Sequence, residues 1–152
     1  MNQIWTQLWL HVLGDFATQS HWMATEKTKR LTVAMLHAIV YTLPFLLVFH
    51  PSPAAGVTMY ATYALIDRFR LARYVVFLKN VLLSPWWASN DARESWAGSI
   101  IMDSNGRITD VIKGCRDTGY RDDVPRFLSV WLLIIVDSFL HITINALALR
   151  YL

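Results

Sequence analysis

Two pairs of residues in this chain have the types and the spacing to act together. His11 and Asp15 lie four residues apart, as do Asp137 and His141, so on a helix each pair projects from one face, a turn apart. Imidazole nitrogen and carboxylate oxygen suit zinc, manganese or iron, and one helix face with this spacing supplies two ligands at once. His37 and Asp67 stand in other mainly apolar stretches. Together the six residues His11, Asp15, His37, Asp67, Asp137 and His141 predict a site for one or two divalent metals, zinc or manganese. The chemistry it would serve is metal-assisted hydrolysis, with a carboxylate, Asp15 or Asp67, as the catalytic base.

The elements that must position these residues are apolar helices. Residues 127–149 are mostly Leu, Ile, Val, Ala and Phe, and a helix of that length spans roughly 30 Å of hydrocarbon. Asp137 near its middle would cost on the order of 3 kcal/mol in a bilayer, which marks it as a residue with a partner. Residues 4–23 form a second apolar helix with His11, Asp15 and Gln19 along one face, and residues 31–49 a third that Pro44 can kink. A fourth starts near residue 57, meets Asp67 and continues through DRFRLARYVVFLKN, whose Arg and Lys suit an interfacial layer. From 84 to 124 the composition turns polar, and IIMD and RITDVI flanking Ser104, Asn105 and Gly106 read as a hairpin. The expected architecture is all-α: a polytopic, four-helix transmembrane bundle forming one membrane domain, 1–152, with a small cytoplasmic β-hairpin insertion at 85–124.

Composition agrees with a membrane class. Of 152 residues, 55% are hydrophobic, high for a soluble chain of this size. The formal net charge of +3, from 14 Lys and Arg against 11 Asp and Glu, is too small to argue for nucleic acid. The single Cys115 excludes an intramolecular disulfide framework and a cysteine-only metal site. No short apolar stretch with a small-residue cleavage site precedes the first segment, which is therefore expected to be retained. Lys and Arg concentrate in TEKTKR at 25–30 and between 68 and 126, so the positive-inside rule predicts a multi-pass protein of the inner membrane with both termini outside the cytoplasm. At 1.5 Å per residue, His11, Asp15, Asp67, Asp137 and His141 fall in one slab about two turns thick, with His37 needing a tilt or a one-turn shift to join them. Three carboxylates at one depth with no buried Lys or Arg among them need a cation. Asn145 and Gln19 would orient the ligands.

The motifs HVLGDFATQSHWMA at 11–24, LHAIVY at 36–41, LIDRFRLARYVVFLKN at 65–80 and VWLLIIVDSFLHITINALALRYL at 130–152 resemble the small bacterial and phage membrane proteins grouped as domain of unknown function 3307. The resemblance covers nearly the whole chain and looks closest to the phage-encoded branch. It implies a pattern of His and Asp on helices similar to membrane-bound metal-dependent hydrolases. Relatives often carry a histidine four residues before the Asp of the IDR motif, where this chain has Tyr63, which puts a full ligand set in question. The first expectation is a hydrolase acting on a membrane-embedded or lipid-linked substrate. The alternative is a non-enzymatic phage or bacterial membrane protein that binds a host membrane component, with the cluster holding the bundle together. Expected partners are a membrane lipid, a second membrane protein or a further copy of the chain, and not nucleic acid. Ion or proton transport needs a polar path to both surfaces, for which the Leu- and Ile-rich part of the last helix gives little support.

Overall fold

The computed structural model of the chain describes residues 3–83, 101–102, 108–110, 118–120 and 124–152. The helices are α1 (Gln3–Val12), α2 (His21–Glu26), α3 (Leu31–Phe49), α4 (Pro53–Phe69), α5 (Leu71–Leu83) and α6 (Arg126–Tyr151), with a π-helical stretch, Leu13–Ala17, following α1 directly. All-α describes this architecture, but four transmembrane helices do not. Among the described residues only α3 and α6 are long and apolar enough to cross a membrane.

The first apolar segment is not one helix. The amide of Thr18 reaches back to the carbonyl of Leu13 at 3.0 Å, the five-residue step that defines a π turn, and the chain then leaves helical geometry. It re-enters at Ser20, whose backbone is extended and whose Oγ accepts from the amide of Met23 at 3.2 Å, an N-cap that starts α2. The long helix expected from residue 57 onward is also divided. α4 begins four residues earlier, where Ser52 Oγ accepts from Ala55 N and Pro53 occupies the first turn. It ends at Arg70, which takes the left-handed conformation at φ 52°, before α5 resumes.

Of the expected hairpin insertion, the described residues hold only two short strand fragments, so the β-hairpin insertion is not part of the described architecture. Ile101 pairs with Asp110 and Met102 with Ile108, antiparallel, with a register irregularity between Ile101 and Met102, and the expected turn at Ser104, Asn105 and Gly106 lies outside the described residues, as does most of the expected insertion 85–124.

The chain divides into two compact units, Met1–Leu71 with Asp137–Leu152, and Ala72–Val136. In the second, Ala72, Val76 and Phe77 are buried, Asn80 Nδ2 donates to the carbonyl of Gly119 at 3.5 Å, and Lys79 Nζ to the hydroxyl of Tyr120 at 3.3 Å. In the first, α3 packs against α4, the π stretch, α1 and α2. Its apolar core is Leu10, Ala38, Tyr41, Phe45, Ala55, Met59, Tyr63, Ala64 and Ala148.

Beside this core the unit also buries ionisable groups and exposes large apolar ones. His11, Asp15, His37, Asp67, His141 and Asn145 are buried, while Trp5, Trp9, Ile39, Leu47, Val57 and Phe139 are more than half exposed. The most apolar stretches of α3 and α6 are only 39% and 11% buried, whereas a soluble core helix is buried nearly all round.

Candidate metal centre

All six residues singled out by type and spacing belong to the first unit, and a chain of contacts links them. His11 comes from α1, Asp15 from the π stretch, His37 from α3, Asp67 from α4, and Asp137 and His141 from α6. His37 sits in the middle and needs no shift. Its Nε2 lies 3.3 Å from Asp15 Oδ1 and 3.5 Å from Asp67 Oδ2. His11 Nε2 is 3.8 Å from Asp15 Oδ2, and His141 Nε2 is 3.4 Å from Asp137 Oδ2. The rings of His11 and His141 lie 6.3 Å apart.

Close approach of the backbone makes this convergence possible. A Cβ on Gly14 would fall 2.7 Å from Tyr41 Cδ2 and 3.3 Å from Tyr41 Cα, so only glycine lets the π stretch lie this close to α3. Asp15 follows directly, aimed at His37.

Tyrosines complete the cluster. The hydroxyl of Tyr63 donates to Asp15 Oδ1. The Tyr63 ring stacks on Tyr41 at 3.7 Å between centroids and on His141 at 3.8 Å. Tyr41 Oη lies 3.0 Å from His11 Nδ1 and accepts from Asn145 Nδ2 at 2.7 Å. The Tyr41 hydroxyl accepts from Asn145 and has one proton of its own, so its contact orients the His11 ring through Nδ1 and turns Nε2 toward the cluster without fixing the tautomer.

The expectation that no buried cation accompanies the carboxylates is overturned. Lys27 Nζ lies 3.1 Å from Asp67 Oδ2, with its side chain only 14% exposed. Gln19, with its amide oriented to satisfy both groups, donates to the carbonyl of Asp15 and accepts from Lys27 Nζ, each at 2.9 Å. Glu26 is engaged by Lys29 at 2.8 Å and Arg30 at 3.4 Å, and the hydrogen bond from Lys29 holds its carboxyl below the usual range. Arg68, which follows Asp67, instead donates to the carbonyl of Thr28 at 2.8 Å, so it ties α4 to the loop carrying Lys27.

Asp67, Asp137 and His141 could hold a metal ion, since one ligand atom of each lies within 4.8 Å of the others. Ligands about 2.0–2.1 Å from zinc in a tetrahedron are about 3.3 Å apart, so side-chain rotations of about 1.5 Å close the set. The donor chemistry fits. Among the described residues His11 Nε2 and His141 Nε2 are buried without a hydrogen-bond partner, and a lone pair on each is what an ion would use. Asp137 is the most open of the set, its side chain 24% exposed. A separate apolar cavity of about 460 Å³, lined by Ile39, Leu43, Leu46, Gly56 and Tyr60 among others, contains none of the six.

Lys27 and Tyr41 are the site residues that sequence reasoning missed. Tyr41 follows His37 by four residues, which is a readable signal; Lys27 sits in a basic loop and carries none. Compared with known proteins, the chain matches no family model, no curated protein and no solved structure.

Proposed function

We propose that this is a membrane protein whose His and Asp cluster holds one or two divalent ions, zinc or manganese, and hydrolyses a membrane-embedded or lipid-linked substrate. The observation that carries the reading is the convergence of three histidines and three aspartates, all buried but Asp137, inside a unit that exposes many large apolar side chains. Exposed apolar side chains around buried ionisable groups suit a hydrocarbon solvent, and ionisable groups within membrane segments are generally functional.

A divalent ion held by Asp67, Asp137 and His141 would supply Lewis-acid activation of water and of a phosphoryl or acyl group. The residues of the chain do the rest. Asp15, held by the Tyr63 hydroxyl and by His37 through Oδ1, keeps Oδ2 for accepting a proton. His37 links Asp15 with Asp67 and fixes their separation. Tyr41 and Asn145 hold the His11 ring, and the Tyr63 face holds the His141 ring, so neither histidine loses orientation when its Nε2 is engaged. Asp137, the most open of the six, marks the side from which a substrate would approach. The motif resemblance to domain of unknown function 3307 is part of this proposal and supports the membrane class.

Protein purified in detergent without chelator is expected to contain zinc or manganese by elemental analysis, and His141→Ala to lose most of it. Wild-type protein that stays metal-free after incubation with both ions and gel filtration overturns the reading. A second reading, in which the cluster is structural and the protein binds a host membrane component, is favoured by the completeness of the Asn145–Tyr41–His11 and Tyr63–Asp15–His37 contacts. It predicts that His11→Ala and Asp137→Asn lower stability and leave no separate defect in the folded fraction.

A further inference from the structure

We infer that Lys27 is a built-in cation of the cluster, and that its ammonium takes the place of a second divalent ion and limits the centre to one metal per chain. The inference rests on the metal-binding reading above and sharpens it from one or two ions to one.

The argument begins with charge. Asp15, Asp67 and Asp137 carry three negative charges when ionised, and a single divalent ion with the Lys27 ammonium carries three positive ones. Two divalent ions beside the same ammonium would leave a surplus of two positive charges in a largely buried site, which is costly without further partners. The geometry agrees with this count. Lys27 Nζ lies 3.1 Å from Asp67 Oδ2, the oxygen that also faces His37 Nε2 at 3.5 Å. An ammonium there covers the side of Asp67 that a bridging carboxylate would offer to a second ion.

The position of Lys27 is built rather than incidental. Lys27 caps the C-terminal end of α2, its amide bonded to the carbonyl of Met23 at 3.0 Å. Gln19 ties its Nζ to the backbone of Asp15. The competing acid, Glu26, is occupied by Lys29 and Arg30. Arg68 anchors the following residue, Thr28, through its carbonyl. Lys29, two residues on, has a side chain 65% exposed, against 14% for Lys27, so the two lysines of one loop have separate roles.

The test is metal stoichiometry on the purified full chain in detergent, with zinc or manganese added in controlled excess, removed by gel filtration and counted by elemental analysis. Wild type and Lys27→Arg are expected to retain one ion, and Lys27→Met to retain two at the same free metal concentration. Two ions on wild type, or one on Lys27→Met with unchanged affinity, overturns the proposal and leaves the metal reading standing. No ion on wild type overturns both. Should Lys27→Met fail to fold, acetylation of wild-type protein read by peptide mass spectrometry decides. Lys27 is expected to stay at least tenfold less reactive than Lys29 with metal bound; exposure of Lys27 on metal loading shows that the ion displaces it and sinks the proposal.

Discussion

Replacing Tyr63 by phenylalanine would remove one oxygen and leave the ring stack on Tyr41 and His141 intact. Asp15 Oδ1 would then keep only the contact from His37, and a buried carboxylate that loses a hydrogen-bond donor costs about 1–3 kcal/mol. The expected result is a lower unfolding midpoint in detergent for Tyr63→Phe; an unchanged midpoint means that the hydroxyl does not hold Asp15. The role of Tyr63 was not legible in the sequence, where the residue registers only as the absence of a histidine. Its hydroxyl becomes a donor because α4 faces α3 and the π stretch in this one rotation, and single-chain spacing says nothing about rotation. His11 with Asp15, and Asp137 with His141, were legible because an i, i+4 pair needs only one helix to bring it together. His37 and Asp67 were legible as polar residues in apolar surroundings, while their meeting through one imidazole nitrogen depended on packing. Lys27 was hidden by its neighbours, since a lysine in TEKTKR looks like solvated loop charge until the fold turns it inward.

The π stretch Leu13–Ala17 decides where Asp15 points. π turns cluster at functional sites because the added residue widens the helix and redirects a side chain. Here it is combined with Gly14, whose missing side chain admits Tyr41. Gly14→Ala is expected to destabilise the fold by about 1–3 kcal/mol, because the new methyl meets the Tyr41 backbone as well as its ring and neither can yield cheaply. Since the displaced residue also supports His11 through its hydroxyl, metal retention is expected to fall in the folded fraction. A variant with wild-type stability and metal content would show that the close approach is not required. The break after this stretch was written in the sequence as Ser20 ahead of HWMATE, an N-cap signal. The apolar periodicity running through 4–23 masked it. Arg70 gave no such signal, because a left-handed arginine has no distinctive sequence pattern.

For the whole molecule the exposed apolar side chains make the sharpest prediction. Ile39 lies near the middle of α3 and is 52% exposed. In a protein bathed in water, Ile39→Lys at an exposed position changes stability by no more than about 0.5 kcal/mol. In a bilayer the same change costs about 3 kcal/mol on the insertion scale. Ile39→Lys is therefore expected to reduce the membrane-associated, folded fraction sharply, measured by membrane fractionation and alkaline extraction. A fully soluble, stable variant would contradict the membrane reading.

The distribution of the polar cluster has a consequence for how the chain is made. Asp15 and Asp67 belong to segments that fall short of the length and hydropathy needed to enter lipid by themselves, and they reach the cluster only by packing on α3. Asp137 and His141 belong to α6, which is synthesised after the other helices that build the cluster. Until α6 arrives, Asn145 is absent from Tyr41 and the ring of His141 is absent from Tyr63. Asp15 and Asp67 find Tyr63, His37 and Lys27 without α6, so the cluster can assemble in two steps, the Tyr41 hydroxyl and the Tyr63 ring face gaining their last partners when α6 docks.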